Sequence, residues 1–270
     1  MKIDLIALDM DDTLLREDLT VSEGNKAALA EADAAGIRIV LASGRNIHSM
    51  RHYAELLGLD GIGDYLICTN GTEIIESATG RLLDERRLSP ELCRDIARHI
   101  ESRGFPWQIY EHGLIHVSEP NQWALEDSRL TGQSAILVED REAFFSRGLL
   151  KFVVPGESAA IAGLMAELGA ALEGRARVVT SKPYFLEVLP LDADKGLALV
   201  RLAAMLGIEM PRVMAIGDAL NDLGMVRAAG WGCAPSNAVP EVKAAARVVS
   251  SLSHQEDAVA DLVRRVALAG

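Results

Sequence analysis

The chain has 270 residues and a formal net charge of −12, with 49% hydrophobic and 24% charged residues. These values are typical of a folded globular protein that forms one large domain or two smaller ones. Because nucleic acid and anionic membrane surfaces attract basic patches, the acidic chain argues against both as partners.

The first part of the chain alternates short apolar runs with a helical pattern. Strands are predicted over residues 3–8, 37–42 and 65–68. A helix is predicted between the first two strands, over residues 22–35, with Ser22 as its N-cap and Gly36 as its stop. A strand–helix–strand unit of this kind predicts a parallel α/β sheet.

The middle of the chain, from about residue 81 to 183, has a different pattern, in which short strands are interspersed with helices. Helices are predicted over residues 90–103 and 158–172. This α+β pattern indicates a second domain inserted into the first. Its strands are predicted over residues 107–110, 114–117, 150–154, 176–179 and 185–189.

The α/β pattern then resumes, with helices over 195–206 and 256–267 and a strand over 212–216. The predicted fold is a Rossmann-like parallel-sheet core with an inserted α+β domain. We place the core at residues 1–81 and 185–270 and the inserted domain at residues 82–184. An inserted domain can cover a site without breaking the host core, so this one is expected to close over the site and select the substrate.

Three features favour a cytoplasmic location. The three cysteines are isolated and odd in number, which indicates neither a disulfide framework nor a zinc knuckle. The apolar run at the N-terminus is too short and too acidic for a signal peptide. No stretch approaches the roughly 20 apolar residues of a transmembrane helix.

Polar side chains follow four of the predicted core strands at the point where each strand ends. Asp9 follows the first strand, Ser43 the second, Asn70 the third, and Asp218 the strand near residue 216. Ligands of parallel α/β sheets bind outside the carboxyl ends of the strands. If the four strands are neighbours, these side chains form one site.

The site would be acidic on one side and would donate hydrogen bonds on the other. Carboxylates this close repel one another, and a divalent cation such as Mg²⁺, which prefers oxygen ligands, would offset the repulsion. Ser43, the Gly44 amide, Asn70 and Lys195 could hold a phosphoryl group.

The nucleophile is expected to be a carboxylate, since these segments contain no Ser–His pair and no reactive cysteine. We predict that Asp9 attacks phosphorus. Asp11, two residues further on, would protonate the departing oxygen and later take a proton from the attacking water. Thr13 would support Asp11.

Four ordered segments resemble a known family. These are "DMDDT" (residues 9–13), Ser43-Gly44-Arg45, Lys195-Gly196 and "GDALND" (residues 217–222) with Met225. The chain resembles, over essentially its whole length, the haloacid dehalogenase superfamily and within it the Cof-type phosphatases of subclass IIB, which carry an inserted C2-type cap.

The resemblance implies that Asp9 is the nucleophile and first metal ligand and that Asp218 is a further ligand. Asp222 would bind the metal directly or through water. Asp11 would be the acid/base, with its backbone carbonyl on the metal. Lys195 would screen the nucleophile and the phosphate.

Three further residues of these motifs have roles that the sequence leaves less defined. Asn221 is predicted to lie near the phosphate. Arg45 is predicted to bind phosphate or substrate, with helix capping or pairing to a carboxylate as the alternative. Asp12 stands where many members of the family have glycine and is expected to face away from the metal.

The predicted function is Mg²⁺-dependent hydrolysis of small cytoplasmic phosphomonoesters, such as sugar phosphates, through an aspartyl-phosphate. A phosphomutase on the same scaffold is the first alternative. A phosphoacceptor signalling module is the second, although receiver domains are about half this length and carry the acceptor after a later strand. The predicted partner is a small phosphorylated metabolite, and the protein is predicted to be a monomer or a homodimer.

Overall fold

The computed structural model describes residues 2–269, apart from the side chains of residues 130 and 131. The chain divides into two compact units. The first, the core unit, comprises Met1–Glu85 and Asp194–Gly270, and the second, the inserted unit, comprises Arg86–Ala193. One domain is therefore inserted in the sequence of the other.

Strands and helices alternate along much of the chain. In chain order the strands are β1 (Leu5–Leu8), β2 (Arg38–Ala42), β3 (Tyr65–Cys68), β4 (Glu73–Glu76), β5 (Leu82–Glu85), β6 (Gln108–Glu111), β7 (Leu114–Val117), β8 (Ser134–Leu137), β9 (Phe152–Pro155), β10 (Ala176–Lys182), β11 (Phe185–Pro190), β12 (Val213–Ile216), β13 (Trp231–Ala234) and β14 (Val248–Val249). The α-helices are α1 (Glu23–Ala34), α2 (Ile47–Leu56), α3 (Pro90–Ser102), α4 (Gln122–Thr131), α5 (Arg141–Phe145), α6 (Ser158–Ala171), α7 (Lys195–Met205), α8 (Leu223–Ala228), α9 (Pro240–Ala245) and α10 (Ala258–Leu262), which continues as a π-helix over Val263–Ala267.

The core unit is built on an eight-stranded sheet in the order β14-β13-β12-β1-β2-β3-β4-β5. The six strands from β14 to β3 are parallel, and β4 and β5 extend the sheet in antiparallel pairing. Leu8, the last residue of β1, lies opposite Leu41 on one side and Ile216 on the other. The four strands whose ends carry the predicted site residues are therefore adjacent, and the predicted fold class is confirmed.

The sequence explains the first elements of this sheet. All four residues of β1 are buried, as expected of a central parallel strand covered on both faces. Helix α1 begins where predicted, because the Ser22 hydroxyl accepts a hydrogen bond from the Asn25 N–H at 3.1 Å. It ends before Gly36, whose φ of 78° is readily adopted by glycine.

The inserted unit has its own six-stranded sheet, in the order β10-β11-β9-β6-β7-β8. Trp107 and Phe152 are fully buried in its hydrophobic core, with their rings 5.7 Å apart in an edge-on arrangement. His112 and Gly113 connect β6 to β7 with φ angles of 53° and 75°, as a tight hairpin turn requires. Within residues 2–269, no helix combines the length and apolar character needed to span a bilayer.

The two units divide at different residues from those predicted. Strand β5 belongs to the core unit because it pairs with β4, whereas the inserted domain was predicted to begin at residue 82. Strand β11 belongs to the inserted unit because it pairs with β9 and β10, whereas the core was predicted to resume at residue 185. Strand pairing, which the local pattern does not reveal, determines both boundaries.

Candidate active site

Asp9 lies directly after β1 and is almost completely buried. Its N–H donates to the Ile216 carbonyl at 2.9 Å, which extends the pairing of β1 with β12 by one residue. The following residues fold back in a tight turn, in which the Leu14 and Leu15 N–H groups both donate to the Met10 carbonyl. The turn keeps the Asp9 carboxylate at the carboxyl edge of the sheet.

Lys195 lies fully buried at the first position of α7 and contacts two carboxylates. Its Nζ donates to Asp9 Oδ1 at 2.5 Å and to Asp222 Oδ1 at 2.6 Å. Burial alone would lower the pKa of the lysine, but the charges of Asp222 and Asp9 outweigh it and hold the pKa of Lys195 above its usual value. The ammonium is therefore charged at neutral pH.

Asp194 fixes the position of Lys195 in the helix. It is the N-cap of α7, and its Oδ1 accepts hydrogen bonds from the Gly196 and Leu197 N–H groups at 2.8 and 3.0 Å. Sequence reasoning assigned no role to Asp194, although an aspartate directly before a helical pattern is a recognised capping signal.

Asp222 is fully buried and forms hydrogen bonds through both of its oxygens. Oδ1 accepts from Lys195, and Oδ2 accepts from the N–H groups of Asp218 and Ala219, each at 3.0 Å. Gly217 makes this loop possible, since a Cβ on it would lie 2.4 Å from the Asp222 Cβ. Asp222 thus holds the Asp218 loop and the lysine together.

Asp218 lies after β12, and a side chain of the first motif fixes its orientation. Thr13 Oγ1 donates to Asp218 Oδ1 at 2.7 Å. Burial and the charge of Asp222 raise the pKa of Asp218 to about 6, while the hydrogen bond from Thr13 acts against them. Thr13 therefore supports Asp218, whereas it was predicted to support Asp11.

The donor set fits a hard divalent cation. Carboxylate oxygens of Asp9, Asp218 and Asp222 all lie within 4.8 Å of one another, and the three residues are buried. Burial and the charge of Asp222 also raise the pKa of Asp9. Lys195 offsets only part of this concentrated negative charge, so a cation bound by oxygen ligands would stabilise it.

The predicted phosphate-binding residues lie around the same strand ends. Ser43 is buried after β2, and its carbonyl accepts from the Asn70 N–H at 2.9 Å. Gly44 packs against the Asn70 amide, since a Cβ on it would lie 3.1 Å from Asn70 Oδ1. That same oxygen accepts from Asn221 Nδ2 at 3.1 Å. These contacts bring together polar groups that follow three of the four strands.

Arg45 and Asp11 form an ion pair with two hydrogen bonds. Arg45 Nε donates to Asp11 Oδ2 at 2.9 Å, and a terminal nitrogen donates to Asp11 Oδ1 at 2.5 Å. Of the roles that the sequence left open for Arg45, the structure shows the pairing with a carboxylate.

Asp12 and Asn237 form a further contact that sequence reasoning missed. Asp12 has a positive φ of 57°, which suits the glycine that many members of the resembled family have at this position. Its carbonyl accepts from Asn237 Nδ2 at 2.8 Å, and its exposed carboxylate lies 3.6 Å from His254 Nε2. No motif marks Asn237, so only the fold could show that it contacts the Asp12 backbone.

We expect Gly196→Ala to destabilise the core unit by about 2–3 kcal/mol, the upper range for overpacking, because the added Cβ would lie 2.3 Å from the Gly224 carbonyl carbon. The predicted hydrolysis of phosphomonoesters should fall with it, since the start of α7 must move and carry Lys195 along. Thermal and denaturant unfolding would measure the change in stability.

Gly169→Ala in α6 is the matched control, because nothing lies within 4 Å of its added Cβ. This variant should gain about 0.5–1 kcal/mol from the better helix propensity of alanine. Equal effects of the two substitutions would show that the close contact between α7 and Gly224 is unimportant.

Comparisons with known proteins identify the family to which the chain belongs. A sequence profile of the haloacid dehalogenase-like hydrolase family matches residues 6–263. YxeH of Bacillus subtilis (strain 168), a candidate phosphatase, is 30% identical over 270 residues, which cover 98% of each chain.

Solved structures show the same fold. A haloacid dehalogenase-like hydrolase from Bacteroides thetaiotaomicron superimposes with a TM-score of 0.88 at 30% identity, over 98% of this chain and 100% of that one. The subclass IIB sugar phosphatase BT4131 superimposes with a TM-score of 0.80 at 21% identity, over 98% of each chain. The resemblance read from the motifs is confirmed, and the chain is an enzyme that belongs to the haloacid dehalogenase-like hydrolase family, with the core-and-cap fold of subclass IIB.

Proposed function

We propose that this hydrolase is a Mg²⁺-dependent phosphomonoesterase that acts on small phosphorylated metabolites through an aspartyl-phosphate at Asp9. The observation that carries the proposal is the buried arrangement of Asp9, Lys195 and Asp218 at the end of β1. A carboxylate nucleophile held beside a cation and a second carboxylate is suited to attack an anionic phosphoryl group.

Asp9 and Asp218 would hold the Mg²⁺ directly. Asp222 already accepts hydrogen bonds at both oxygens, so we assign it to positioning Lys195 and the Asp218 loop, with any metal contact through water. The backbone carbonyl of Asp11 is the further ligand that the family resemblance implies. When bound, the cation offsets the charge of the carboxylates and of the phosphoryl oxygens.

Other groups of the chain would bind the phosphoryl group and carry out its transfer. The Ser43 hydroxyl, the Gly44 N–H and the amides of Asn70 and Asn221 are proposed to donate to the phosphoryl oxygens, and Lys195 to contribute its charge. Asp9 forms the bond to phosphorus as the ester bond breaks. Water then attacks the phosphorus of the aspartyl-phosphate and frees Asp9.

Asp11 is proposed to move the protons. It gives a proton to the departing ester oxygen in the first step and takes one from the attacking water in the second. The side chain is 47% exposed, so it can reach a bound substrate.

The substrate class is proposed to be sugar phosphates and similar small phosphomonoesters. BT4131, a sugar phosphatase, shares the fold. The formal net charge of −12 disfavours nucleic acid as substrate, and the three cysteines are free thiols, as suits a reducing cytoplasm. We propose that the inserted unit selects the substrate.

Phosphate release from a panel of hexose, pentose and glycerol phosphates, with and without Mg²⁺, tests the proposal. We expect hydrolysis that a chelator abolishes and that added Mg²⁺ restores. A ribonucleotide or protein phosphate as the only substrate would contradict the proposed class. An isomeric phosphate formed faster than free phosphate would identify a mutase instead.

Mg²⁺ should also stabilise the folded enzyme in the absence of substrate. At 100 times its dissociation constant the cation is expected to add about 2.7 kcal/mol to the free energy of unfolding. Asp218→Asn should weaken this effect, because it removes a carboxylate of the buried cluster. An equal Mg²⁺-dependent shift of the melting temperature in Asp218→Asn and wild type would contradict the assigned site.

A further inference from the structure

The guanidinium of Arg45 forms an ion pair with the carboxylate of Asp11. Both oxygens of Asp11 accept from it, at 2.9 and 2.5 Å, in the fork geometry that makes arginine–carboxylate pairs directional. A phosphoryl group binding the same edge of the guanidinium would have to displace Asp11. The arginine therefore competes poorly as a phosphate ligand and is well placed to fix the carboxylate.

The structure also fixes Arg45 itself. Its N–H donates to the Ser43 hydroxyl at 3.2 Å, and its carbonyl accepts from the Thr69 N–H at 2.8 Å. The guanidinium carbon lies 5.5 Å from the centre of the Tyr53 ring, within the range of a cation–π contact. Tyr53 is held in turn by its hydroxyl, which donates to the Leu19 carbonyl at 3.2 Å.

Asp11 needs such a partner because its side chain is 47% exposed in a tight turn. Asp9 and Asp218, by contrast, are held by burial and by Lys195 and Thr13. A half-exposed carboxylate that loses two hydrogen bonds can occupy more rotamers, and a misplaced proton donor loses much of its effect.

We infer that Arg45 is a positioning residue that acts through Asp11, by holding its carboxylate in the orientation from which it protonates the leaving oxygen. This rests on the proposed function. It assigns to Lys195 and the amide and hydroxyl donors, and not to Arg45, the binding of the phosphoryl group. Asp11 enters this step protonated and gives its proton to the ester oxygen as the phosphorus–oxygen bond breaks, and the carboxylate that remains accepts the two hydrogen bonds from Arg45.

The inference predicts a dependence on the leaving group that a phosphate ligand would not show. A p-nitrophenolate departs as a stable anion and needs little protonation, whereas the alkoxide of a glycerol or sugar phosphate needs a proton as it leaves. Loss of Arg45 should therefore slow the hydrolysis of alkyl phosphates far more than that of p-nitrophenyl phosphate. The relevant constant is kcat/KM, because it reports the phosphorylation step.

The experiment measures kcat/KM of Arg45→Met for glycerol phosphate and p-nitrophenyl phosphate, with the inhibition constant of inorganic phosphate. We expect a loss of about 10²-fold for the alkyl ester, the lower end of the contribution of a general acid, and a loss about tenfold smaller for the aryl ester. The phosphate inhibition constant should stay close to the wild-type value.

Arg264→Met is the matched control, because Arg264 also pairs through two nitrogens with a carboxylate, that of Glu31, away from the strand ends. Arg264→Met should leave kcat/KM for both esters unchanged. A double variant gives a second test. Adding Arg45→Met to Asp11→Asn should lower kcat/KM for the alkyl ester no further, since the effects of residues that act as a unit are not additive.

Equal losses for both esters, or an inhibition constant for phosphate raised about tenfold, would overturn the inference by making Arg45 a phosphate ligand. A full further loss in the double variant would overturn it too. Failure of the proposed function looks different: wild-type turnover would then survive Asp9→Asn, whatever Arg45 does.

Discussion

Asp9→Asn is expected to abolish phosphate release, with kcat lower by four orders of magnitude or more, roughly the effect of removing a covalent nucleophile. An amide cannot form the acyl phosphate on which the proposed route depends. The neighbouring Asp222 cannot take over this role, because it is fully buried and uses both oxygens in hydrogen bonds.

The variant should fold, which makes the result interpretable. Asn keeps the shape of Asp9, and its oxygen can accept from Lys195 Nζ as Asp9 Oδ1 does. The remaining pair of Lys195 and Asp222 is balanced in charge. Circular dichroism and the melting temperature would confirm the fold.

Asp4→Asn is the matched control, since Asp4 lies just before β1 while Asp9 lies just after it. Asp4 pairs with Arg212 at the opposite edge of the sheet from the candidate site. Its variant should keep full activity. Substantial turnover by Asp9→Asn under the same conditions would remove Asp9 from the role of nucleophile.

Lys195→Met is expected to lower the free energy of unfolding of the core unit by about 3–5 kcal/mol, the usual cost of breaking a buried ion pair. The substitution leaves Asp9 and Asp222 buried without the ammonium that both contact. Activity should be lost as well, because the carboxylates would then repel the phosphoryl group without screening.

Denaturant unfolding in the absence of Mg²⁺ measures this effect. Adding Asp222→Asn to Lys195→Met should recover part of the loss, because it removes one of the two uncompensated charges. Lys26→Met, which breaks the surface pair with Glu23, should change stability by only about 0.5 kcal/mol. A Lys195→Met protein as stable as wild type would show that the lysine does not compensate the buried carboxylates.

The sequence predicts the centre of the core well, because each signal there is local. The four residues of β1 that end at Leu8 are all apolar, and Ser22 and Gly36 mark the ends of α1. Polar residues after four predicted strands were expected to form one site if the strands are neighbours, and the sheet order shows that they are.

The sequence predicts strands and domain boundaries less well where the pairing between strands determines them. Strand β8 escaped prediction because all four of its residues are exposed, so it lacks the alternation of a half-buried strand. Strand β5 joins the core unit through its pairing with β4 and through the ion pair of Asp84 with Arg201 of α7. The observed boundaries of the two units therefore differ from the predicted ones.

The same limit applies within the candidate site. The motif resemblance assigns Asp9, Asp218 and Lys195 to one site, but it does not predict which carboxylate forms the ion pair with Arg45. That pairing joins residues 34 positions apart and depends on how the turn after Asp9 folds. The Thr13–Asp218 hydrogen bond spans 205 positions and was likewise not foreseen.

The most direct test is to identify the phosphorylated residue. The enzyme would be mixed with substrate and Mg²⁺, quenched in acid within one turnover and treated with borohydride, which reduces an acyl phosphate to an alcohol. Peptide mass spectrometry should then find homoserine at position 9 in wild type and none when the substrate is omitted. An unmodified Asp9 beside a phosphorylated side chain elsewhere, from an enzyme that is turning over, would contradict the account.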